Sequence, residues 1–304
     1  MGRQASRGRR AERLRRSIAD GDFASASRLL DKCAHRGPGR GGGPAGAKPA
    51  VHLAEACGGA EVVVETPGGP VRCWRVLRTL GEVCEQGVGI AREYSAVLRG
   101  ARQRFDDDEA LRSSAGLCRL ADEGPETALF LAAAARSAGE GVFLLGAMRH
   151  TDGQFHLAQH LAFDVSQEPA VLEAFVARLD ESSVVVSYGT RVPDWTVVRR
   201  RAAVRGVEIP RRRGPGHVGL RREARKRWRG DVPDFRLETL ERWLLARRRT
   251  ARMARVGVRR AYERFLSTGD AREMPDVLYH NAMDLLSTAQ ITVAILTGSG
   301  PLAD

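Results

Sequence analysis

Val184-Val185-Val186-Ser187-Tyr188-Gly189-Thr190-Arg191-Val192-Pro193-Asp194 decides the fold of this chain. Its first three residues are apolar without alternation, which suits a strand covered on both faces. Gly189 and Pro193 end that run, and Asp194 stands where a helix beginning at Trp195 needs an N-cap. A buried strand that feeds a helix is a unit of α/β architecture.

The pattern extends upstream. Val171, Leu172, Phe175, Val176 and Leu179 recur at helical spacing, with Ser166 as the expected cap and Pro169 in the first turn. Before that helix, Ala128–Ala133, Val142–Met148 and Phe155–Leu161 read as strands, with Asp152-Gly153 as a hairpin turn. Hairpin-linked strands, a helix and a further strand predict a mixed sheet packed against helices. Residues 60–77 read as another hairpin around Thr66-Pro67-Gly68-Gly69-Pro70. Residues 80–103 read as mixed loop and helix, with Ile90, Val97 and Leu98 buried. Downstream of Asp194 helices are expected over 194–206, 221–229, 236–249, 258–267 and 275–297.

The last of these helices carries His280-Asn281-Ala282-Met283-Asp284. Together with Tyr188-Gly189-Thr190-Arg191-Val192-Pro193-Asp194, and in this order, the motif resembles the RNase H-like fold. Within that fold the chain is most similar to the YprB-type domain of the DEDD 3′–5′ exonuclease group. Supporting matches are Arg225-Lys226-Arg227-Trp228-Arg229-Gly230, Leu237-Glu238-Thr239-Leu240-Glu241 and 262–270. The likeness covers roughly residues 60–300. It implies an α/β fold with an RNase H-like mixed sheet flanked by helices, preceded by a small β-hairpin and helix region. Composition and pattern divide the chain into a basic, Gly-rich, largely disordered segment (1–50), an ancillary region (51–122) and the exonuclease-like domain (123–300).

In that family the first strand ends in D-x-E-T, the fourth in N-G-K-x-F-D, and a late helix carries H-N-x-x-D. Here the late motif is complete, and the middle one keeps Tyr188 and Asp194 but lacks the asparagine and the phenylalanine. The first motif has no acid: the strand reads Phe130-Leu131-Ala132-Ala133-Ala134-Ala135. The matching positions are Ala132 and Ala134, or Leu131 and Ala133 if the register slips by one. Near residue 217 a further family acid is replaced in His217-Val218-Gly219-Leu220. These losses bear directly on chemistry. Two divalent cations about 4 Å apart clamp the attacking and leaving oxygens of a phosphodiester. Such cations are held by carboxylate oxygens, and alternate residues of one strand present both ligands to one side. The resemblance makes Asp194, Asp284 and His280 remnants of the catalytic motif, with Asp194 and Asp284 as weak metal ligands. Each also has a structural explanation: Asp194 as a helix cap, Asp284 paired with an arginine, His280 as a satisfied polar residue. No cofactor is expected, or Mg/Mn if the site still functions.

Charge points to the partner. Net charge is +12 with a pI of about 10.4, which favours a polyanion. Residues 199–229 hold thirteen basic residues against two acids, Glu208 and Glu223. Arg199, Arg200, Arg211, Arg212, Arg213, Arg225 and Arg227 are the candidate phosphate contacts, reading DNA or RNA without sequence preference. The acidic run Asp106-Asp107-Asp108-Glu109 reads as a solvated loop or helix start.

Composition sets the remaining expectations. Hydrophobic residues make up 43% of the chain and mean hydropathy is −0.31, which predicts a soluble protein with a real core. No apolar run approaches the ~18 residues of a membrane span. The arginine-rich start lacks the apolar stretch of a secretory signal, and Gly37–Gly46 reads as a linker, with six glycines and two prolines. Five cysteines without a C-x-x-C pair predict reduced thiols and a cytoplasmic location. Cys33 and His35 have no second ligand pair at finger spacing. The function expected is nucleic-acid binding by a catalytically degenerate nuclease fold. The alternatives are an active metal-dependent 3′–5′ exonuclease using Asp194, Asp284 and a compensating acid such as Glu140, and an interaction scaffold.

Overall fold

The computed structural model describes residues 51–108, 111, 114–135, 141–179, 184–189, 192–209, 216–249 and 255–301. The expected N-terminal tail and linker, Cys33, His35, Glu140 and Arg211–Arg213 lie outside the described residues. In chain order the elements are α1 (Leu53–Cys57), β1 (Ala60–Thr66), β2 (Gly69–Thr79), α2 (Leu80–Val83), α3 (Gly87–Arg99), α4 (Ala101–Asp107) and α5 (Ala115–Glu123). There follow β3 (Ala128–Ala135), β4 (Val142–Thr151), β5 (Gln154–Leu161), α6 (Glu168–Val176), β6 (Val184–Ser187) and α7 (Asp194–Arg205). The chain continues with β7 (Gly216–Gly219), α8 (Leu220–Arg227), α9 (Leu237–Leu245), α10 (Arg255–Thr268) and α11 (Met274–Thr297).

All seven strands form one mixed sheet in the order β1-β2-β5-β4-β3-β6-β7. The β1 to β5 part is antiparallel, whereas β3, β6 and β7 run parallel. Asp152 and Gly153 both have positive φ, 52° and 78°, as a tight two-residue hairpin turn requires. Every residue of β6 is buried, in keeping with a strand between two parallel neighbours.

Strand alternation sorts the core into two faces. Ala128, Phe130 and Ala132 of β3 pack with α3, α5, α8, α9 and α11, and Leu129 and Leu131 pack with α6 and α7. The hairpin of β1 and β2 joins the same sheet through β5, with Trp74 opposite Leu161 and Thr79 opposite His156. Helices from 80–123 share the core of α11. The expected boundary between 122 and 123 is thus crossed by one sheet and one core.

Three local expectations need correction. Ser166 does not cap α6; Asp164 accepts from the Ser166 amide at 2.7 Å and begins a 3₁₀ turn before the helix. The region after Asp194 is not wholly helical, because Gly216–Gly219 adds β7 in parallel to β6. Its single apolar residue, Val218, lies between glycines and gives no alternating pattern. The helix expected over 236–249 stops at Leu245, where Ala246 turns left-handed with φ 49°.

Candidate functional site

The site forms where α11 crosses β3. Asn281 donates to the Ala132 carbonyl at 2.9 Å and accepts from Gln159 of β5, also at 2.9 Å. Gln159 donates further to the Leu278 carbonyl at 2.7 Å. Gly146, opposite Ala132 on β4, makes this possible, since a Cβ there would overlap Asn281 Oδ1. The asparagine of the late motif therefore fixes the height of α11 above the sheet. It brings His280 and Asp284, one turn apart, over the end of β3.

The middle motif arrives from the other side. Gly189 has φ 61°, and any side chain there would collide with Val192 and Pro193, so glycine permits the sharp turn into α7. Tyr188 is buried and donates from its hydroxyl to the Phe235 carbonyl at 2.8 Å. Asp194 is not the N-cap; Pro193 holds that position and Asp194 is the first helical residue. Pairing of β6 with β3 stops at Leu131, and beyond it the Ala133 amide donates to Asp194 Oδ2 at 3.4 Å.

One pocket is lined by Ala132, Ala134, Asp194, Glu238, His280 and Asp284, among others. Ala132 lies on the α11 face and Ala134 packs beside Val277 and Leu278 of α11. Alternate residues of β3 thus face the late motif, and both are alanine.

Asp284 is held by a group that the sequence reading left unnamed. Arg249, in the turn after α9, donates from Nη2 to Asp284 Oδ1 at 2.5 Å. The same nitrogen donates to Glu241 Oε1 at 2.6 Å, and Nε reaches Glu241 Oε2 at 2.5 Å. His280 Nε2 lies 3.4 Å from Asp284 Oδ2, and its Nδ1 lies 3.4 Å from Arg249 Nη1. The side chains of Glu241 and Arg249 are 0% and 8% exposed. Burial opposes the guanidinium charge, but Glu241 and Asp284 outweigh it and hold Arg249 above its ordinary range. Ser287 donates to Glu241, and Arg247 donates to Ser287 at 2.9 Å and to Gln290 at 2.6 Å. Glu241 had a sequence signal. Leu237, Leu240, Glu241 and Leu244 share one helix face, so an acid sits inside an apolar stripe. Arg249 had none, because its partners lie on other elements.

The basic cluster is partly structural. Arg201 and Arg205 both bind the buried carboxylate of Glu168, at 2.6 Å each, and so tie α7 to α6. Arg222 and Lys226 bind the buried Glu223, and Arg227 binds Asp108 at 2.5 Å. Arg227 is therefore committed to a fold contact. Arg199, Arg200, Arg225 and Arg229 are exposed. α7 and α8 pack on opposite faces of the sheet. Burial, then Arg222 of α8 and Arg199 of α7, hold His217 of β7 down to about 4. His217 Nε2 lies 3.1 Å from the buried Ser187 hydroxyl.

Residues 134–296 match the sequence profile of the RNase H superfamily. This chain belongs to the RNase H superfamily. It is also 28% identical, over 156 residues, to the Bacillus subtilis (strain 168) protein named Uncharacterized protein YprB. That match covers 51% of this chain and 38% of the other protein, so the chain spans well under half of the relative's length. The profile begins at Ala134, near the end of the strand where the superfamily's first acids would stand.

The superfamily implies divalent metal, and the residues present do not fit a dication pair. β3 offers alanines, and one oxygen of Asp284 is bonded to a guanidinium. Among the described residues no three histidine, cysteine, aspartate or glutamate side chains are placed to hold a metal ion. The described cysteines, Cys57, Cys73, Cys84 and Cys118, are free thiols, and burial pushes Cys57 and Cys73 up to about 12 and about 11. No described helix is long and apolar enough to cross a membrane.

Proposed function

We propose that this RNase H superfamily protein binds nucleic acid, DNA or RNA without sequence preference, and does not cleave it. The observation that carries the proposal is β3, which turns Ala132 and Ala134 toward Asp194 and Asp284 in the shared pocket. Phosphodiester cleavage by the two-metal route needs carboxylates where these methyl groups stand. Asp194 and Asp284 are remnants: one braces β3, the other balances Arg249. The setting proposed is the cytoplasm, in keeping with free, high-pKa thiols.

The binding surface proposed is built from the exposed arginines on the helices that flank β7, Arg199 and Arg200 of α7 and Arg225 of α8. Such binding releases condensed counterions. Affinity for a single-stranded oligonucleotide should therefore fall by roughly 2.5 to 4 decades between 50 and 200 mM salt if six to ten phosphates are neutralised. Fluorescence anisotropy across that range tests it. Changing Arg199, Arg200 and Arg225 to glutamate should weaken binding and flatten the salt slope together. Binding that ignores both salt and these substitutions would transfer the protein to the scaffold class.

A further inference from the structure

Asp284 and Glu241 come from different helices and converge on one nitrogen, Arg249 Nη2, at 2.5 and 2.6 Å. Those separations are those of short charge-assisted hydrogen bonds, so the positive charge beside Asp284 is supplied by the chain itself. A guanidinium is also a cation whose planar fork matches two carboxylates at once. We infer that Arg249 is a built-in cation standing in a divalent ion's place between Asp284 and Glu241, and that it keeps the pocket closed to metal. The inference deepens the reading of this site as one that holds no dication pair.

The surroundings fit that role. Glu241 is fully buried, and a buried carboxylate without a partner carries a large desolvation cost. The partner that offsets this cost is Arg249, which the chain supplies from the turn after α9. Ala246 makes the turn left-handed, so α9 ends and the backbone can carry Arg247 and Arg249 back onto α11. Arg247 anchors the turn on Ser287 and Gln290, one to two helical turns beyond Asp284. His280 closes the ring of donors, with one nitrogen near Asp284 and the other near Arg249. Without the guanidinium, Glu241 and Asp284 would face the same vacated point with His280 beside them. With Arg249 in place these three side chains form no metal-binding group; removing the guanidinium is what would let two carboxylates and an imidazole turn to a single Mn²⁺.

The test is Mn²⁺ binding to the full chain, followed by the loss of the free-ion electron paramagnetic resonance signal. The variants are Arg249→Gln, Arg249→Lys and the double variant Arg249→Gln with Asp284→Asn. Wild type and Arg249→Lys should leave millimolar Mn²⁺ free, since each keeps a positive charge beside Asp284. Arg249→Gln should bind one Mn²⁺ at least tenfold more tightly than wild type, and Asp284→Asn should abolish that gain. Mn²⁺ should raise the melting temperature of Arg249→Gln but not of wild type, which also reports on a variant that folds poorly without the ion. Equal binding by wild type and Arg249→Gln, or no binding and no thermal shift in either, overturns the inference. Metal-dependent cleavage by wild type is a separate result and counts against the proposed function instead.

Discussion

A single residue pair governs the chemistry that this pocket can host. In the late motif the asparagine clasps the sheet, while the aspartate neutralises an arginine from the turn after α9. Glu241 supplies the second charge for that arginine and is reached by no solvent. Glu241→Gln should therefore leave Arg249 buried with half its compensation. Breaking one partner of a buried ion pair costs about 3–5 kcal/mol. Chemical denaturation should show that loss with an unchanged slope, and a loss within about 0.5 kcal/mol, typical of surface substitutions, would mean that the pair is not a structural element. How much of this site was legible beforehand follows from locality. His280, Asn281 and Asp284 lie on one helix and could be read together. Glu241 was readable as an acid in an apolar face. The Arg249 contact joins residues 35 apart on separate elements, and no spacing rule reports such a contact.

At the scale of elements, burial made the strands legible. β3, β4 and β6 carry apolar runs long enough to register, β5 mixes Phe155, Leu157, Ala158 and Leu161 with polar residues, and the Asp152-Gly153 turn fixed one register. β7 has only Val218 to bury, and its place is set by pairing with β6. The end of α9 was misread because Ala246-Arg247-Arg248-Arg249 has good helix formers, and tertiary pairing of the arginines overrides that preference. The same scale sets the acid limit of the fold. Burial, Arg178 and Arg75 hold His160 at about 4, and His217 also stands at about 4, so both are kept neutral in the folded state. Their folded values lie below the ordinary 6.5, so their contribution is complete above 6.5 and is lost as pH falls toward 4. Burial opposes the charge of Glu168, but Arg201, the Val142 amide and Arg205 hold it below the usual carboxylate range. Its contribution is complete above the ordinary carboxylate pKa and disappears at still lower pH. Stability should be flat from pH 8 to 7 and fall progressively below 6.5, by a total on the order of 2–5 kcal/mol at pH 4, with the melting temperature falling in step. Differential scanning fluorimetry over that range measures it, and a profile flat to pH 4 would show these histidines to be protonated in the native state.

At the scale of the whole molecule, the mixed sheet and its two helical layers, of the RNase H superfamily, surround a pocket whose β3 side is lined by alanines. The 49 basic residues behind the net charge of +12 are not spread evenly, and several of them pair with Glu168, Glu223, Glu241 and Asp108. What is left exposed on α7 and α8 frames the β7 edge, away from the strands that carry the N-terminal hairpin. On the proposed reading, a retained fold, a basic edge and a first strand without acids separate binding from cutting. The measurement that tests this most directly is the release of 3′ mononucleotides from end-labelled single-stranded DNA and RNA in Mg²⁺ or Mn²⁺. It compares wild type with the Asp194→Asn and Asp284→Asn variants. The account predicts that all three proteins give the same background release, while wild type still binds the oligonucleotide. Metal-dependent release by wild type that either substitution abolishes would contradict it.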